Sequence, residues 1–413
     1  MERSEKGEAP SPNRVGAFGP WRFVLVFGVV SLLADMVYEG ARSIIGPYLG
    51  TLGASATAVG LIAGAGEFLG YGLRLASAYL VTRSRAYWAW TFAGYALTVT
   101  SVPLLGLSGS LAITALLYGG ERMGKAVRGP AKDTLLSWAS ASTGRGKAFG
   151  VHQVFDQLGA VAGPLLVAAV LSAHAHDHRS AFGALLVPGL GVLLVLVWLR
   201  HRAPEPWRFE AGPAPRSPLA GSPEARGLPR RFWKYLATVA LLSSSVASFP
   251  LIAFHLEALQ LASPATIPVL YAGAMAVEGL TAVAVGHAYD RLGPRVLFAA
   301  PVAAAGAALA FANTAVLVWL GLGLWGAVNG ILDSTVKAAV STWVPTERRA
   351  VAFGWLALMR GAGLLISGGV LGAAAASRPS LAAGLIVTAN ALALSALWAV
   401  LRNPEAQGRD LER

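Results

Sequence analysis

The 413-residue chain has no cysteine, so it offers no disulfide, no thiolate metal site and no cysteine nucleophile. Charge is scarce as well: Asp, Glu, Lys and Arg make up 13% of the chain against a hydrophobic share of 55%, a balance foreign to a soluble domain. Acids are the scarcer sign, 21 against 33 Lys and Arg, which leaves a net charge of +12. That excess does not mark a nucleic-acid binder, because the bases gather in short breaks between apolar runs, the pattern of loops held on one side of a membrane. A Gly-rich phosphate loop, a zinc-protease helix and a nucleophile elbow are all missing, so ATP-driven pumping and hydrolysis have no support. The chain is therefore not read as an enzyme, and no cofactor or metal is expected.

What is present is a succession of long apolar stretches. Twelve are long enough to span a bilayer, at about 22–49, 56–82, 87–107, 110–139, 147–172, 180–199, 232–260, 265–289, 295–313, 315–343, 350–375 and 380–401. The expected fold is all-α and integral to the membrane. Even-numbered loops hold Arg83 and Arg85, Arg145 and Lys147, Arg291 and Arg295, Arg348 and Arg349, whereas odd-numbered loops hold almost no base. This asymmetry predicts that both termini are cytoplasmic, in a multi-pass protein of the plasma (inner) membrane. The polar N-terminal stretch leads into an apolar run too long and too charged for a cleaved signal peptide, and reads as a cytoplasmic tail.

The two halves repeat. RGKAFGVHQVFDQLGAVAGP from Arg145 aligns at constant offset with RAVAFGWLALMRGAGLLISG from Arg349, placing Gly159 on Gly363 and Asp156 on Arg360. The chain thus divides into a tail (1–21), a first six-helix bundle (22–199), a Pro- and Arg-rich linker (200–231), a second bundle (232–401) and a short tail (402–413). The linker reads as a tether without a packed core. Parallel six-span repeats point to a site at the midplane between two bundles that rock against each other.

Charges inside the spans locate that site. Ionisable groups at depth cost several kcal/mol unless they pair or face a wet cavity, and by default they mark a pathway. The densest stretch is Glu121 to Pro164, with Glu121, Arg122, Lys125 and Arg128 in span four and His152 and Asp156 in span five. In span one Asp35, Glu39 and Arg42 share a helix face beside Tyr38. Two acids and one base on that stripe leave one acid without a partner from its own helix, a group suited to taking up and releasing a proton. Span two adds Glu67, either a second proton group or the neutraliser of Arg122 or Lys125. Asp35, Glu39, Glu67, Glu121 and Asp156 are the candidate proton or cation groups; Arg42, Arg122, Lys125, Arg128 and His152 are their partners or substrate ligands. The second half is sparser, with Asp333 and Lys337 reading as a structural i,i+4 pair and Trp325 and Trp355 as walls. The loop HAHDHR places His174, His176 and His178 alternately around Asp177, but alternate positions of an extended loop diverge, so a metal site is not expected there.

After span eight, GHAYDRLGPR contains Gly286, Asp290, Arg291, Gly293 and Arg295 and resembles the loop signature of the major facilitator superfamily. The first-half loop AYLVTRSRAYW keeps Arg83 and Arg85 but lacks the Gly and the Asp. Gly150, Gly159, Gly163 and Pro164 resemble the front of the span-five signature of proton-coupled, drug-antiporter-type exporters in that superfamily, and Arg122 stands where such exporters carry an arginine. The resemblance implies the major facilitator fold, with twelve transmembrane helices in two six-helix repeats, gating by the loop and glycine residues, and a monomer exchanging a small-molecule solute against protons across the lipid bilayer. It implies export of an organic or cationic solute. Two rivals remain: an uptake symporter for an organic anion, which requires an unpaired base at the midplane, and a transporter-like sensor that binds without moving solute.

Overall fold

The computed structural model describes residues 18–175, 177–210, 228–345 and 348–402. The N-terminal tail apart from its last four residues, the middle of the linker, His176 and the C-terminal tail beyond Arg402 lie outside the described residues.

Twelve helical crossings are present among the described residues. The first half contains α1 (Pro20–Thr51), α2 (Ala56–Ser84), α3 (Tyr87–Leu105), α4 (Leu111–Ser140), α5 (Arg145–Ala173) and a sixth crossing made of α6 (His178–Ala184) and α7 (Leu186–Arg202). The second contains a broken seventh crossing, α8 (Arg230–Ser244) and α9 (Phe249–Ala258), then α10 (Thr266–Leu292), a ninth with α11 (Ala299–Gly306) flanked by 3-10 turns, α12 (Ala315–Trp343), α13 (Arg349–Ser377) and α14 (Pro379–Leu401). By length and composition nine stretches qualify as spans, and the stretch Thr266–Phe311, 46 residues long, contains two crossings because the chain turns at Gly293, where φ is +64°. The fourth crossing is less apolar than the others because α4 carries Glu121, Arg122, Lys125, Arg128, Lys132 and Asp133; a buried helix tolerates such charges where the helices enclose a polar cavity.

Backbone–backbone closeness assembles the bundle. A Cβ on Gly159 or Gly163 of α5 would strike the backbone of α1 at Leu32 and Met36, so those two glycines let α1 and α5 touch along their length. Between the halves, Gly60 on α2 faces Gly368 on α13 in the same way. The α2–α13 contact of one diagonal has its counterpart in α5–α10 on the other, as exchange of two repeats requires. Each half has its own apolar core, while large side chains such as Leu116, Val187 and Leu280 face outward, as a lipid-facing surface demands.

The linker departs from expectation at its start. α7 continues to Arg202, and a 3-10 turn at Pro206–Phe209 sets Trp207 against Trp138 (ring centroids 6.1 Å apart) and Phe209 against Phe23 (5.8 Å). Two aromatics in an otherwise Pro- and Arg-rich segment are enough to dock it on the first bundle.

Candidate functional site: a charged cavity between the halves

Between the two bundles lies a cavity of about 550 Å³, walled by α1, α2, α4 and α5 on one side and α10, α12 and α13 on the other. It is closed toward the turns at 52–55 and 259–265, where α1 packs on α9: a Cβ on Gly46 would strike the Pro250 backbone, and Gly50 abuts the Phe254 ring. In the opposite direction the wall runs down the later part of α4, the early part of α5 and the later part of α12, toward the Arg-rich loops. Side chains there open to solvent: Asp133, Gln153 and Lys337 are exposed, and Gly150 of α5 and Gly286 of α10 have no neighbour that a Cβ would meet. The cavity therefore opens on the Arg-rich face.

Its wall holds eight bases and seven acids among the described residues, so it is a polar site and not a greasy one. Part of this charge forms a closed ladder. Tyr271 of α10 donates its hydroxyl to Glu39 of α1, Arg42 Nη1 lies 3.8 Å from Glu39, and Arg42 Nη2 reaches Glu67 of α2 at 2.8 Å. Glu67 Oε1 also accepts from Arg122 Nη1 of α4 at 3.2 Å, and Arg122 Nε lies 2.7 Å from Glu121. Arg122 is 1% exposed, with the rings of Tyr38 and Tyr118 on its faces (5.9 and 5.3 Å to the centroids). The ladder sets each charge against an opposite one, as burial in a low dielectric requires, while Arg42 Nε, Arg122 Nη2 and Glu121 Oε1 have no hydrogen-bond partner among the described residues. Glu121 sits at its end, away from the cavity wall, so it is not positioned to meet a solute.

A second set of charges is left open. Lys125, Arg128 and Lys132 descend α4 at intervals that share one face. Lys125 Nζ stands 4.0 Å from the centroid of the Tyr38 ring and Arg128 Cζ 5.5 Å from it; Arg128 is also 4.7 Å from the Tyr95 centroid and donates to Thr98 Oγ1 at 2.7 Å. Among the described residues neither Lys125 nor Arg128 has a carboxylate within 4.0 Å. Asp35, one turn before Tyr38 on α1, is 9% exposed, lines the same cavity, and likewise has no base within that distance. Lower down, Lys132 Nζ lies 3.1 Å from His152 Nε2 and 3.9 Å from Asp156. An ammonium can only donate, so His152 is the neutral tautomer with its proton on Nδ1, a buried nitrogen that has no partner. Ser31 Oγ also lies 3.1 Å from His152 Nε2, so it and Lys132 Nζ converge on the single lone pair of that nitrogen.

Of the expected gating residues, Gly159 and Gly163 make backbone-close contacts, Pro164 lies inside α5, and Gly293 makes the turn after α10. Gly150 and Gly286 touch no neighbouring helix, and Asp290, Arg291 and Arg295 are exposed without an ion pair among the described residues. Asp333 pairs with Arg360 of α13 at 2.6 Å instead of with Lys337, and Trp355 turns away from the cavity to meet Trp233 (centroids 5.5 Å apart), leaving Trp325 as the wall. In the HAHDHR loop the Asp177 carboxylate caps α6 and His174 Nδ1 lies 3.1 Å from the Val170 carbonyl; no cluster of metal-ligating side chains occurs among the described residues. Sequence reasoning passed over Lys132, although its spacing from Lys125 and Arg128 announced it. The Tyr271–Glu39 bond carried no local signal, since 232 residues separate its ends.

A ring of crossings in two repeats around a central polar cavity is the architecture of a secondary transporter. Comparison with known proteins agrees. The sequence pattern of the Major Facilitator Superfamily matches residues 27–262, more than half of the chain, and the chain belongs to that superfamily. It is 45% identical over 368 residues to an uncharacterised protein of Mycobacterium tuberculosis strain H37Rv, covering 87% of this chain and 89% of that one. Over a shorter span it is 31% identical to an uncharacterised MFS-type transporter of Methanocaldococcus jannaschii, covering 35% of this chain and 36% of that protein. Among solved structures the nucleoside transporter NupG has a TM-score of 0.73 at 14% identity, covering 92% of this chain and 98% of that one. A peptide transporter POT in complex with sulfate also scores 0.73 at 14% identity, covering 94% and 95%. At these identities the likeness is one of fold. The protein is a multi-pass membrane transporter of this superfamily.

Proposed function

We propose that the chain carries a small solute bearing an anionic group together with protons, by alternating exposure of the central cavity. One observation carries this reading: Lys125 and Arg128 stand over the Tyr38 ring inside the cavity with no carboxylate among the described residues in ion-pair range. Two desolvated cations without partners are costly, and a carboxylate or phosphate on the cargo offsets that cost. The cavity size is that of a small-molecule site. The bases Lys125 and Arg128 in its wall argue against an apolar drug or a simple cation as cargo, the reading that the span-five glycines suggested. With the Arg-rich loops cytoplasmic, the cavity is open to the cytoplasm, and the seal of α1 on α9 is the external gate.

The coupling group in this reading is Asp35. Its carboxylate lies one turn from Tyr38, so when ionised it opposes an anion arriving at Lys125 and Arg128, and when protonated it does not. Proton and anion then favour the same loaded state, which makes the two travel in the same direction. Glu67 and Glu121 are held in the ladder and take no part; Glu39 carries the link to α10.

The test uses purified protein in liposomes loaded with a pH-sensitive dye. Carboxylates and phosphate monoesters added outside are expected to acidify the lumen, and Asp35→Asn to abolish that proton movement while leaving anion exchange across the membrane intact. Luminal alkalinisation on adding amines or quaternary ammonium compounds would restore proton-driven cation export and sink this proposal.

A further inference from the structure

The second half of the cavity contains an acid that the anionic-cargo reading leaves without work. Glu278 of α10 is half-buried and lines the cavity, and no base lies within 4.0 Å of it among the described residues. Of the bases that line the same cavity, Arg42 is bonded to Glu67 at 2.8 Å and Arg360 to Asp333 at 2.6 Å. The setting around it is built. A Cβ at Gly326 would strike the Ala274 carbonyl and one at Gly330 the Glu278 carbonyl, so α10 and α12 meet backbone to backbone along this wall. That closeness brings Trp325 and Asn329 of α12 into the same wall as Glu278. The Trp325 indole N–H is committed to the Ala247 carbonyl at 2.8 Å, which fixes its ring within a cluster with Phe249 (5.9 Å) and Tyr271 (6.1 Å). A carboxylate without an ion pair in the same wall as a fixed indole ring is the chemistry that holds an ammonium.

We infer that Glu278, with Trp325 and Asn329, forms a cation-binding subsite facing the anion subsite of Lys125 and Arg128, so that the cargo is a zwitterion whose two ends bind opposite halves of the protein. The inference rests on the anionic-cargo reading above and adds the second pole. A ligand bridging both poles draws α4 of one bundle and α10 of the other toward each other. A ligand with one charge engages a single half and pulls less, so the zwitterion stabilises the closed, loaded state more than a simple anion does.

The probes are ω-amino acids with two to five methylenes, each against the matched carboxylate lacking the amine, titrated calorimetrically into the purified full-length protein. At least one ω-amino acid should bind tenfold or more tightly than its carboxylate. Glu278→Gln should erase that preference and leave carboxylate binding within twofold, while Lys125→Gln weakens both series. Glu278→Asp, which keeps the charge and retracts it, should move the optimum to a chain one methylene longer. If no ω-amino acid outbinds its carboxylate, or if Glu278→Gln and Glu278→Asp leave the preference and its optimum unchanged, the second pole is wrong. If Lys125→Gln weakens neither series, the anionic-cargo reading itself fails, and the zwitterion proposal with it.

Discussion

Two sets of charge within a few turns of each other behave in opposite ways. The ladder Tyr271–Glu39–Arg42–Glu67–Arg122–Glu121 crosses from α10 through α1 and α2 to α4 with each charge answered by the next. Lys125, Arg128 and Asp35, on the same helices one or two turns nearer the open mouth, have no ion-pair partner among the described residues. Both sets sit at depths where an unanswered charge is costly, so the paired set is read as holding helices together, and under the proposed function the open set finds its partner in the cargo. The repeat sharpens the contrast. Asp133 and Asp156 of the first half fall at the positions of Lys337 and Arg360 in the second, so charge is inverted at these two positions, while the same offset sets Lys125, Arg128 and Lys132 on the uncharged Asn329, Leu332 and Val336.

The largest effect is expected from breaking the ladder. Glu67→Ala removes the carboxylate that bridges Arg42 and Arg122 and leaves the two buried guanidinium groups with only Glu39 and Glu121 to answer them, a loss of the kind that typically costs about 3–5 kcal/mol. Thermal unfolding in detergent should show it as a marked fall in Tm, with loss of transport following from loss of fold. Arg128→Gln is the opposite experiment. It removes a charge that has no carboxylate to lose and keeps an amide that can still reach Thr98, so Tm should hold or rise. Anion affinity should fall by about tenfold to a hundredfold, the value of roughly 1.5–3 kcal/mol for a charge-assisted hydrogen bond. Equal Tm losses in the two variants would erase the distinction between the sets.

Much of this architecture was legible in the sequence, because a bilayer enforces its rules on composition: twelve apolar stretches, bases in alternate loops and a repeat marked by AFG at Ala148 and Ala352 follow from chain chemistry alone. The helical stripe set Asp35, Glu39 and Arg42 on one face, and all three line the cavity. What the stripe does not contain is the third dimension. Glu67 had two readings in the sequence, proton group or neutraliser, and only the meeting of α2 with α1 and α4 shows it between two guanidinium groups. Asp333 and Lys337 satisfy the i,i+4 rule, yet a partner on α13 reaches Asp333 first, since Arg360 arrives from a neighbouring helix with a bidentate-capable group. The linker's Trp207 and Phe209 were hidden in a composition that otherwise describes a tether.

The smallest expected effect comes from a charge that is paired without being buried. Asp177, in the loop before α6, accepts from the backbone N–H groups of Arg179 (3.1 Å) and Ser180 (2.9 Å) and from Ser180 Oγ (2.6 Å). The Ser180 hydroxyl and these amides favour the ionised form and hold the carboxyl below its ordinary range. A depressed folded-state value means that the stabilisation is present in full above the unfolded carboxylate range and fades as pH falls through the folded value. Asp177→Ala should therefore lower stability by about 1 kcal/mol at neutral pH, the usual worth of an N-cap, and the gap between variant and parent should narrow on acidification. Removing a paired charge here costs far less than removing Glu67 because water stands ready to solvate whatever the substitution leaves behind. A Tm loss at Asp177 comparable to that at Glu67 would mean that depth in the membrane is not what makes the ladder expensive to break.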